Sequence, residues 1–375
     1  MRSKIKFLAY YLPQYHPIQE NDEWWGKGFT EWTNVKKALP VYKGHKQPII
    51  PGELGYYDLL KDIDVQKKQA DLAKEYGIDG FIYYQYWFGG GKMLLEKPAE
   101  KMLADKSVDL PFCFCWANET WSGIWHGAEN KILIEQKYLG KNDYIKYFEY
   151  LLPFFKDDRY IKIENKPVFH IYRVDDIPDL QVFLETFNGL AFKNGFLGIH
   201  FVATGNVFSQ NVINNPLIQQ VVGLDLFQKL RKIHLLYFKE GSFLYQLEQK
   251  IKYRLGYLDE LGKRRKPMVI DYKKSLKKLF IDVPPHSKYL PCIIPNWDNS
   301  PRSGKISLIL KNSTPELFKK YIEKVLKSIE KSEYKPEFII IKSWNEWAEG
   351  NYLEPDQIYG RKWLEVIKEL KNKMQ

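Results

Sequence analysis

The chain is predicted to be an α/β protein, a closed (β/α)8 TIM barrel, on three observations. Eight apolar runs recur along it, each continuous rather than alternating, as strands of a parallel sheet buried on both faces must be. Helical stretches lie between most of them, and nearly every run ends in a cluster of polar and aromatic residues. In a barrel those ends converge on one mouth, where (β/α)8 enzymes carry their sites. An open doubly wound sheet, the competing arrangement, would concentrate its site at one switch point.

Lys4 to Tyr11 reads as the first strand, stopped by Leu12-Pro13. The long loop that follows carries Gln14-Tyr15-His16-Pro17 and then Trp24 to Asn34, and loops of that length crowded with their own side chains tend to be functional. Asp64 to Tyr76 has helical spacing in Val65, Gln69, Leu72, Ala73 and Tyr76 and stops at Gly77, a C-cap. Ile78 to Tyr84 is the second strand, with Gln85-Tyr86-Trp87-Phe88 at its tip. A helix is expected at Leu94 to Leu103, then a strand at Pro111 to Cys115 ending in Trp116-Ala117-Asn118-Glu119. Pro167 to Tyr172, Gly198 to Ala203, a weaker Val221 to Asp225, Pro291 to Pro295 and Phe338 to Lys342 complete the eight. Further helices are expected at Tyr144 to Phe155, Leu180 to Lys193 and Thr314 to Lys331, the last with Ser313 or Thr314 as N-cap and Pro315 in its first turn.

A chain of 375 residues suits one large barrel domain, expected here over 1–375. Hydrophobic content of 45% and charged content of 27% are ordinary for a globular protein with a sizeable core. The aromatic share is less ordinary, 16% with 11 Trp and 26 Tyr; rings in this number suit carbohydrate faces, although large cores and membrane-interface belts use them too. Cys113, Cys115 and Cys292 offer no disulfide framework, and the first two, two residues apart, point to one face of a strand. The apolar segment after the N-terminus is too short for a signal peptide and no run is long enough to span a bilayer, so a cytoplasmic location is expected.

The net charge of +11 is concentrated: residues 227–290 hold sixteen Lys/Arg against six acids. This segment is expected to be a basic helical insertion between strands 6 and 7. Its aromatic residues and basic charge suit an anionic membrane surface, which would place the protein peripherally on the inner membrane, or a lipid-linked diphosphate. A solvated helical face is the plainer alternative. No nucleic-acid partner is expected.

The strongest chemical signal is Lys342-Ser343-Trp344-Asn345-Glu346-Trp347-Ala348-Glu349-Gly350, where an apolar strand turns abruptly acidic. Two carboxylates three positions apart, flanked by Trp344 and Trp347, make an acid/base pair beside flat surfaces that stack on sugar rings. First-turn acids of a helix, with core tryptophans behind them, would give the same pattern. Glu119, Asp298 and Glu31 add acids at the mouth, and glycoside hydrolysis needs at least two. Other chemistries lack their signatures: there is no HExxH, no CxxC, no GxxxxGK[ST] and no GxGxxG after a strand. His16, His170 and His200 are scattered, so no metal and no cofactor is expected.

The stretch Trp344 to Pro355 resembles the Asn-Glu-Trp-x-Glu-Gly signature of glycoside hydrolase family 99, the endo-α-mannosidases. Over nearly its whole length the chain resembles the WbsX-like glycosyltransferase family grouped with those hydrolases, through Ala9 to Pro17, Trp24 to Trp32, Tyr76 to Phe81, Trp116 to Glu119 and Trp297 to Arg302. The resemblance implies a (β/α)8 barrel and cleavage of an α-linked, mannose-like oligosaccharide or polysaccharide with retention. In that route Glu346 deprotonates the sugar's own 2-hydroxyl, which closes a 1,2-anhydro ring, while Glu349 acts as acid and then base. Ala348 stands where the mannosidases tend to carry His.

The expected substrate cleft comprises Tyr10, Gln14, His16, Trp25, Glu31, Trp32, Tyr84, Trp87, Trp116, Asn118, Glu119, Trp297, Asp298 and Arg302, with Trp344 and Asn345 beside the pair. Core packing is the alternative for each aromatic. Glycosyl transfer in cell-surface polysaccharide (O-antigen or capsule) synthesis and a non-catalytic glycan-binding scaffold remain as other readings.

Overall fold

Eight parallel strands close into a ring: β1 (Lys6–Tyr11), β2 (Gly80–Trp87), β3 (Phe112–Trp116), β4 (Lys166–Ile171), β5 (His200–Thr204), β6 (Ile218–Val222), β7 (Tyr289–Leu290 and Cys292–Ile293) and β8 (Phe338–Ile341). This is a computed structural model, and it describes residues 5–123, 132–205, 210–223, 266–279 and 288–374, with a few isolated positions between 246 and 254. Every neighbouring pair is parallel, and β1 sits between β2 and β8 with Leu8 opposite Gly80 and Ile340. Closure falls on β7. Tyr289 and Leu290 pair with Val221 and Val222 of β6, whereas Cys292 and Ile293 pair with Ile340 and Ile341 of β8. Pro291 divides β7 because it has no N–H to give, but its carbonyl still accepts from the Ile340 N–H at 2.8 Å.

The apolar runs form strands because both faces are covered. Phe114, Phe169 and Phe201 face outward onto Tyr147, Phe154, Phe183 and Phe187 of the helices Lys141–Lys156 and Leu180–Lys193. Inside the ring Tyr10 stacks on Tyr84 at 5.2 Å and meets His170 edge-on.

Most expected helices appear: Val65–Glu75 after Asp64, and Pro315–Lys331 capped by Thr314, whose hydroxyl accepts from the Leu317 N–H. The helix expected from Leu94 begins at Lys97, with Pro98 in its first turn, because Met93–Leu94 pairs with Tyr86 and Trp87. That pairing extends β2 through the expected tip, so Gln85, Tyr86 and Trp87 are strand residues. The N-terminal loop holds two short helices, Gln19–Trp25 and Glu31–Lys37, and Lys362–Lys373 closes the chain.

Most of the basic segment 227–290 lies outside the described residues. Its described part is not a detached arm: Met268–Asp271 pairs in parallel with Leu308–Lys311, and Tyr272 at the start of the helix Tyr272–Leu279 is fully buried, its hydroxyl donating to the Ile294 carbonyl. Among the described residues no helix is long and apolar enough to cross a membrane.

Candidate functional site

Beyond β8 the chain makes a tight hairpin, not a helix N-terminus. Asn345 lies opposite Tyr352 and Glu346 opposite Asn351, with Trp347–Glu349 forming one 3-10 turn between the arms. Each residue of the stretch has a mechanical task. Asn345 clamps Leu12 just past β1, accepting from its N–H at 2.7 Å and donating to its carbonyl at 3.0 Å. Ser343 Oγ accepts from the Glu346 N–H, and Asn351 Nδ2 donates to the Lys342 carbonyl at 2.7 Å. Trp347 stacks flat on Tyr352 at 4.0 Å. Gly350 closes the turn at φ +52°, where a Cβ would lie 2.8 Å from the backbone N and O of Asp298. Gly350→Ala is expected to cost about 2–4 kcal/mol, from left-handed strain plus a clash against unyielding backbone, measurable by urea unfolding.

The hairpin delivers Glu346 and Glu349 into a nest of charge. Lys342 Nζ, on the residue after β8, contacts Glu346 Oε2 at 2.6 Å and Glu349 Oε2 at 3.7 Å, between the rings of Tyr84 and Trp297. Arg302 reaches the other side, with Nη1 at 2.7 Å from Glu349 Oε1 and Nη2 at 2.5 Å from Glu31 Oε1. Glu31 gets there from the first turn of the helix Glu31–Lys37, its N–H donating to the Gln14 carbonyl. Glu349 keeps 18% of its side-chain surface open against 5% for Glu346, so a ligand meets Glu349 first.

The two glutamates share the Lys342 ammonium and do not hold protons equally. Burial pushes Glu346 up to about 7, with Lys342 pulling down and the Glu349 charge pushing up. For Glu349 burial also acts upward, but Arg302 and Lys342 outweigh it and hold the carboxyl below its usual range. Below about pH 7 the pair therefore carries one proton, resting on Glu346. Removing the ammonium in Lys342→Met withdraws the downward pull on Glu346, so its proton is lost only at higher pH. The pH optimum of kcat/KM is then expected to move up by about one unit or more, the usual reach of an opposite charge at this distance. An unchanged profile would make Lys342 a packing residue only.

Several expected cleft residues turn out to build the walls instead. Trp32 donates its indole N–H to the Tyr57 carbonyl at 2.7 Å and packs on Trp347, while Trp87 donates to Asp143 and stacks on Tyr147. Trp116 donates to the Trp87 carbonyl and lies against Phe183. Tyr10 and Trp344 are fully buried, Tyr10 inside the ring and Trp344 against Phe81. His16 is buried, and desolvation pulls its ring down to about 4, keeping it neutral. Asn118 staples the loops after β3 and β4 by donating to the Arg173 carbonyl and accepting from the Arg173 N–H. Asp298 is tied to His45 at 2.7 Å, to Gln47 at 2.6 Å and to the Ser300 N–H; burial would raise its carboxyl, but these bonds prevail and lower it. It anchors the hairpin and is not a free acid. Around the pair itself the structure gathers Glu31, Arg302, Tyr84 and Trp297. Gln14 and Trp25 are half-buried, and Glu119 pairs with Arg173 at the rim.

Two residues escaped the sequence reading. Lys342 ends an apolar strand, a position where a cation is costly unless paired, and that was the available signal. Glu354 is fully buried and receives Tyr57 OH at 3.0 Å, Gln69 Nε2 at 2.7 Å and Trp347 Nε1 at 2.6 Å. Burial pushes it up to about 7, yet its three neighbours are all donors and suit the ionised carboxylate, which pins the base of the hairpin.

With this geometry in view, the relatives are informative. The family model described as Glycosyltransferase WbsX matches residues 7–367. The uncharacterized protein WxcX of Xanthomonas campestris pv. campestris is 32% identical over 365 residues, covering 96% of this chain and 49% of that protein. The chain thus spans about half the length of the curated relatives it matches. Among solved structures, the GH99 endo-alpha-mannosidase from Bacteroides thetaiotaomicron superposes with a TM-score of 0.53 at 13% identity, over 98% of this chain and 97% of that one. A protein described as glycoside hydrolase-like gives 0.55 at 13% identity, over 98% and 94%. At such identities the likeness establishes a shared barrel. The chain belongs to the WbsX glycosyltransferase family and folds as a (β/α)8 barrel.

Proposed function

We propose that the protein breaks an α-glycosidic bond of a mannose-like oligosaccharide or polysaccharide through Glu346 and Glu349, with retention by way of a 1,2-anhydro sugar. The observation that carries this reading is the shared Lys342 ammonium, 2.6 Å from Glu346 Oε2 and 3.7 Å from Glu349 Oε2, which gathers the two carboxylates at one place. Inverting pairs stand roughly 6.5–9.5 Å apart to admit a water, and retaining pairs with a protein nucleophile about 5–5.5 Å apart to admit the anomeric carbon. Two carboxylates gathered on one ammonium lie on the same side of the site and do not flank it from opposite faces, so both can address one edge of a ring, one at the 2-hydroxyl and one at the glycosidic oxygen.

The proton count fits. Bond breaking needs one carboxylate ionised and one protonated, which is the state of the resting pair. With the proton moved from Glu346 to Glu349, Glu346 accepts from the 2-hydroxyl and Glu349 donates to the leaving oxygen. Lys342 favours that exchange by stabilising ionised Glu346 at 2.6 Å. Displacement at the anomeric carbon by the neighbouring oxygen requires the two C–O bonds to be anti, as they are in α-mannosides and not in α-glucosides. The alignment therefore favours the manno configuration.

The test is proton NMR of the first product from a panel of α-mannans and related α-glycans. The α-anomer is expected before mutarotation; a first-formed β-anomer would contradict the mechanism, and no turnover on any glycan would favour a binding scaffold.

A further inference from the structure

Resting on the Glu346–Glu349 reading, we propose that the protein passes the cleaved glycosyl unit to a sugar hydroxyl and not chiefly to water, with Trp24 and Trp121 forming the shelf that holds the acceptor saccharide. Two independent observations lead there.

The first is the charge inventory of the mouth. A nucleotide-linked or lipid-linked donor departs as a diphosphate, whose charge must be met by uncommitted cations, a metal or helix N-termini. Among the described residues the buried cations at the pair are Lys342 and Arg302, and both are taken: Lys342 by Glu346, Arg302 by Glu349 and Glu31. Arg173, at the rim, is paired with Glu119. Two cations thus face three carboxylates, and neither cation of the nest is left over to meet a departing diphosphate. What such a nest can expel is an alkoxide that takes one proton. On the described residues, a transferase working here draws its donor from an existing glycosidic linkage.

The second is an aromatic surface that bond breaking alone does not require. Trp24, on the helix Gln19–Trp25, and Trp121, on the strand Trp121–Ser122, are half-buried with ring centroids 6.1 Å apart. Trp121 rests edge-on against Tyr86 at 5.1 Å and Phe88 at 5.7 Å. Tyr86 lies two residues beyond Tyr84 on the same face of β2, and Tyr84 OH stands 3.4 Å from Lys342 Nζ, so the shelf borders the pair through these rings. Partly open indoles next to a glycosidic site offer a second pyranose a face to stack on.

The exchange balances without a co-reactant. In the first half the C1–O bond to the leaving sugar breaks, the leaving oxygen takes the Glu349 proton, and the 2-hydroxyl oxygen bonds to C1 as Glu346 takes its proton. In the second half the acceptor hydroxyl gives its proton to Glu349 and its oxygen bonds to C1, while the C1–O2 bond breaks and O2 recovers the proton from Glu346. One glycosidic bond is lost and one gained.

The experiment uses the full chain with an α-linked manno-oligosaccharide donor, a fluorescently tagged saccharide acceptor, no nucleotide, and water labelled with heavy oxygen. The tagged acceptor is expected to grow by donor units, with unlabelled transfer product exceeding labelled hydrolysis product. In Trp121→Ala the acceptor concentration giving half-maximal transfer is expected to rise about tenfold, the scale of one aromatic contact. Donor cleavage with heavy oxygen at C1 of every released glycosyl unit and no growth of the tag overturns transfer and leaves bond cleavage standing. Growth of the tag only from a nucleotide-linked or polyprenyl-diphosphate-linked donor overturns the neutral leaving group. An acceptor dependence unchanged in Trp121→Ala overturns the shelf. Inertness towards all donors, with and without acceptor, overturns the underlying Glu346–Glu349 reading itself.

Discussion

Glu346→Gln and Glu349→Gln are each expected to lower kcat/KM at least about a thousandfold, some 4 kcal/mol of transition-state stabilisation, in a protein that stays folded. An amide keeps the shape of each side chain but can neither accept a proton from a hydroxyl nor give one to a leaving oxygen. The two losses should differ in kind. A donor whose leaving group needs no proton, such as an aryl glycoside with an acidic phenol or a glycosyl fluoride, relieves the loss of the acid and not the loss of the base. Activated donors should therefore restore Glu349→Gln substantially and Glu346→Gln hardly at all. Rescue in the opposite sense would exchange the two roles. The resting electrostatics make this a real contest, since the proton sits on Glu346 until a ligand shifts it. The same electrostatics predict that Glu346→Gln is no less stable than the parent above neutral pH. A buried carboxyl held up at about 7 stabilises the fold below its ordinary range and loses that contribution as pH rises through 7, whereas glutamine has no such loss.

Arg302→Met should be the most damaging single change outside the pair. It leaves Glu31, 2% exposed, without the guanidinium that it shares with Glu349, and an orphaned buried charge typically costs about 3–5 kcal/mol. Glu31→Gln combined with Arg302→Met should recover much of that loss, because no lone buried charge then remains; a double-mutant cycle by urea unfolding isolates the term. Arg302→Lys keeps the charge and loses the fork that reaches two carboxylates at once, so it should fall between. A cost under about 1 kcal/mol for Arg302→Met would mean that Glu31 is hydrated and the nest is open.

The barrel was legible because its logic is written in continuous apolar runs. Phe338-Ile339-Ile340-Ile341 can only be a strand covered on both faces, and its register beside β1 follows. Position 291 resisted, since proline divides the closing strand into halves that pair with different neighbours. The acidic pair was legible from chemistry, but its geometry was not. Glu and Glu three apart suit a helix turn, and what makes them a hairpin is long-range: Asn345 clamping Leu12 and Gly350 lying against Asp298. The aromatic residues misled in part for the same reason. Trp32, Trp87 and Trp116 each carry an indole N–H that finds a buried acceptor, and nothing local in sequence tells such a tryptophan from one facing a sugar. Lys342 became meaningful only once Glu346, one hairpin arm later, was seen to fold back onto it.

The central claim is that Glu346 and Glu349 form one buried unit sharing a single proton. Carbon-13 NMR of the glutamate side-chain carboxyls, assigned with the two Gln variants, tests it directly. The expected record has one carboxyl titrating at about 7 and its partner remaining ionised to below the ordinary glutamate range, with each Gln substitution moving the survivor. Two independent titrations at the usual carboxylate value, each indifferent to loss of the other, would contradict the account.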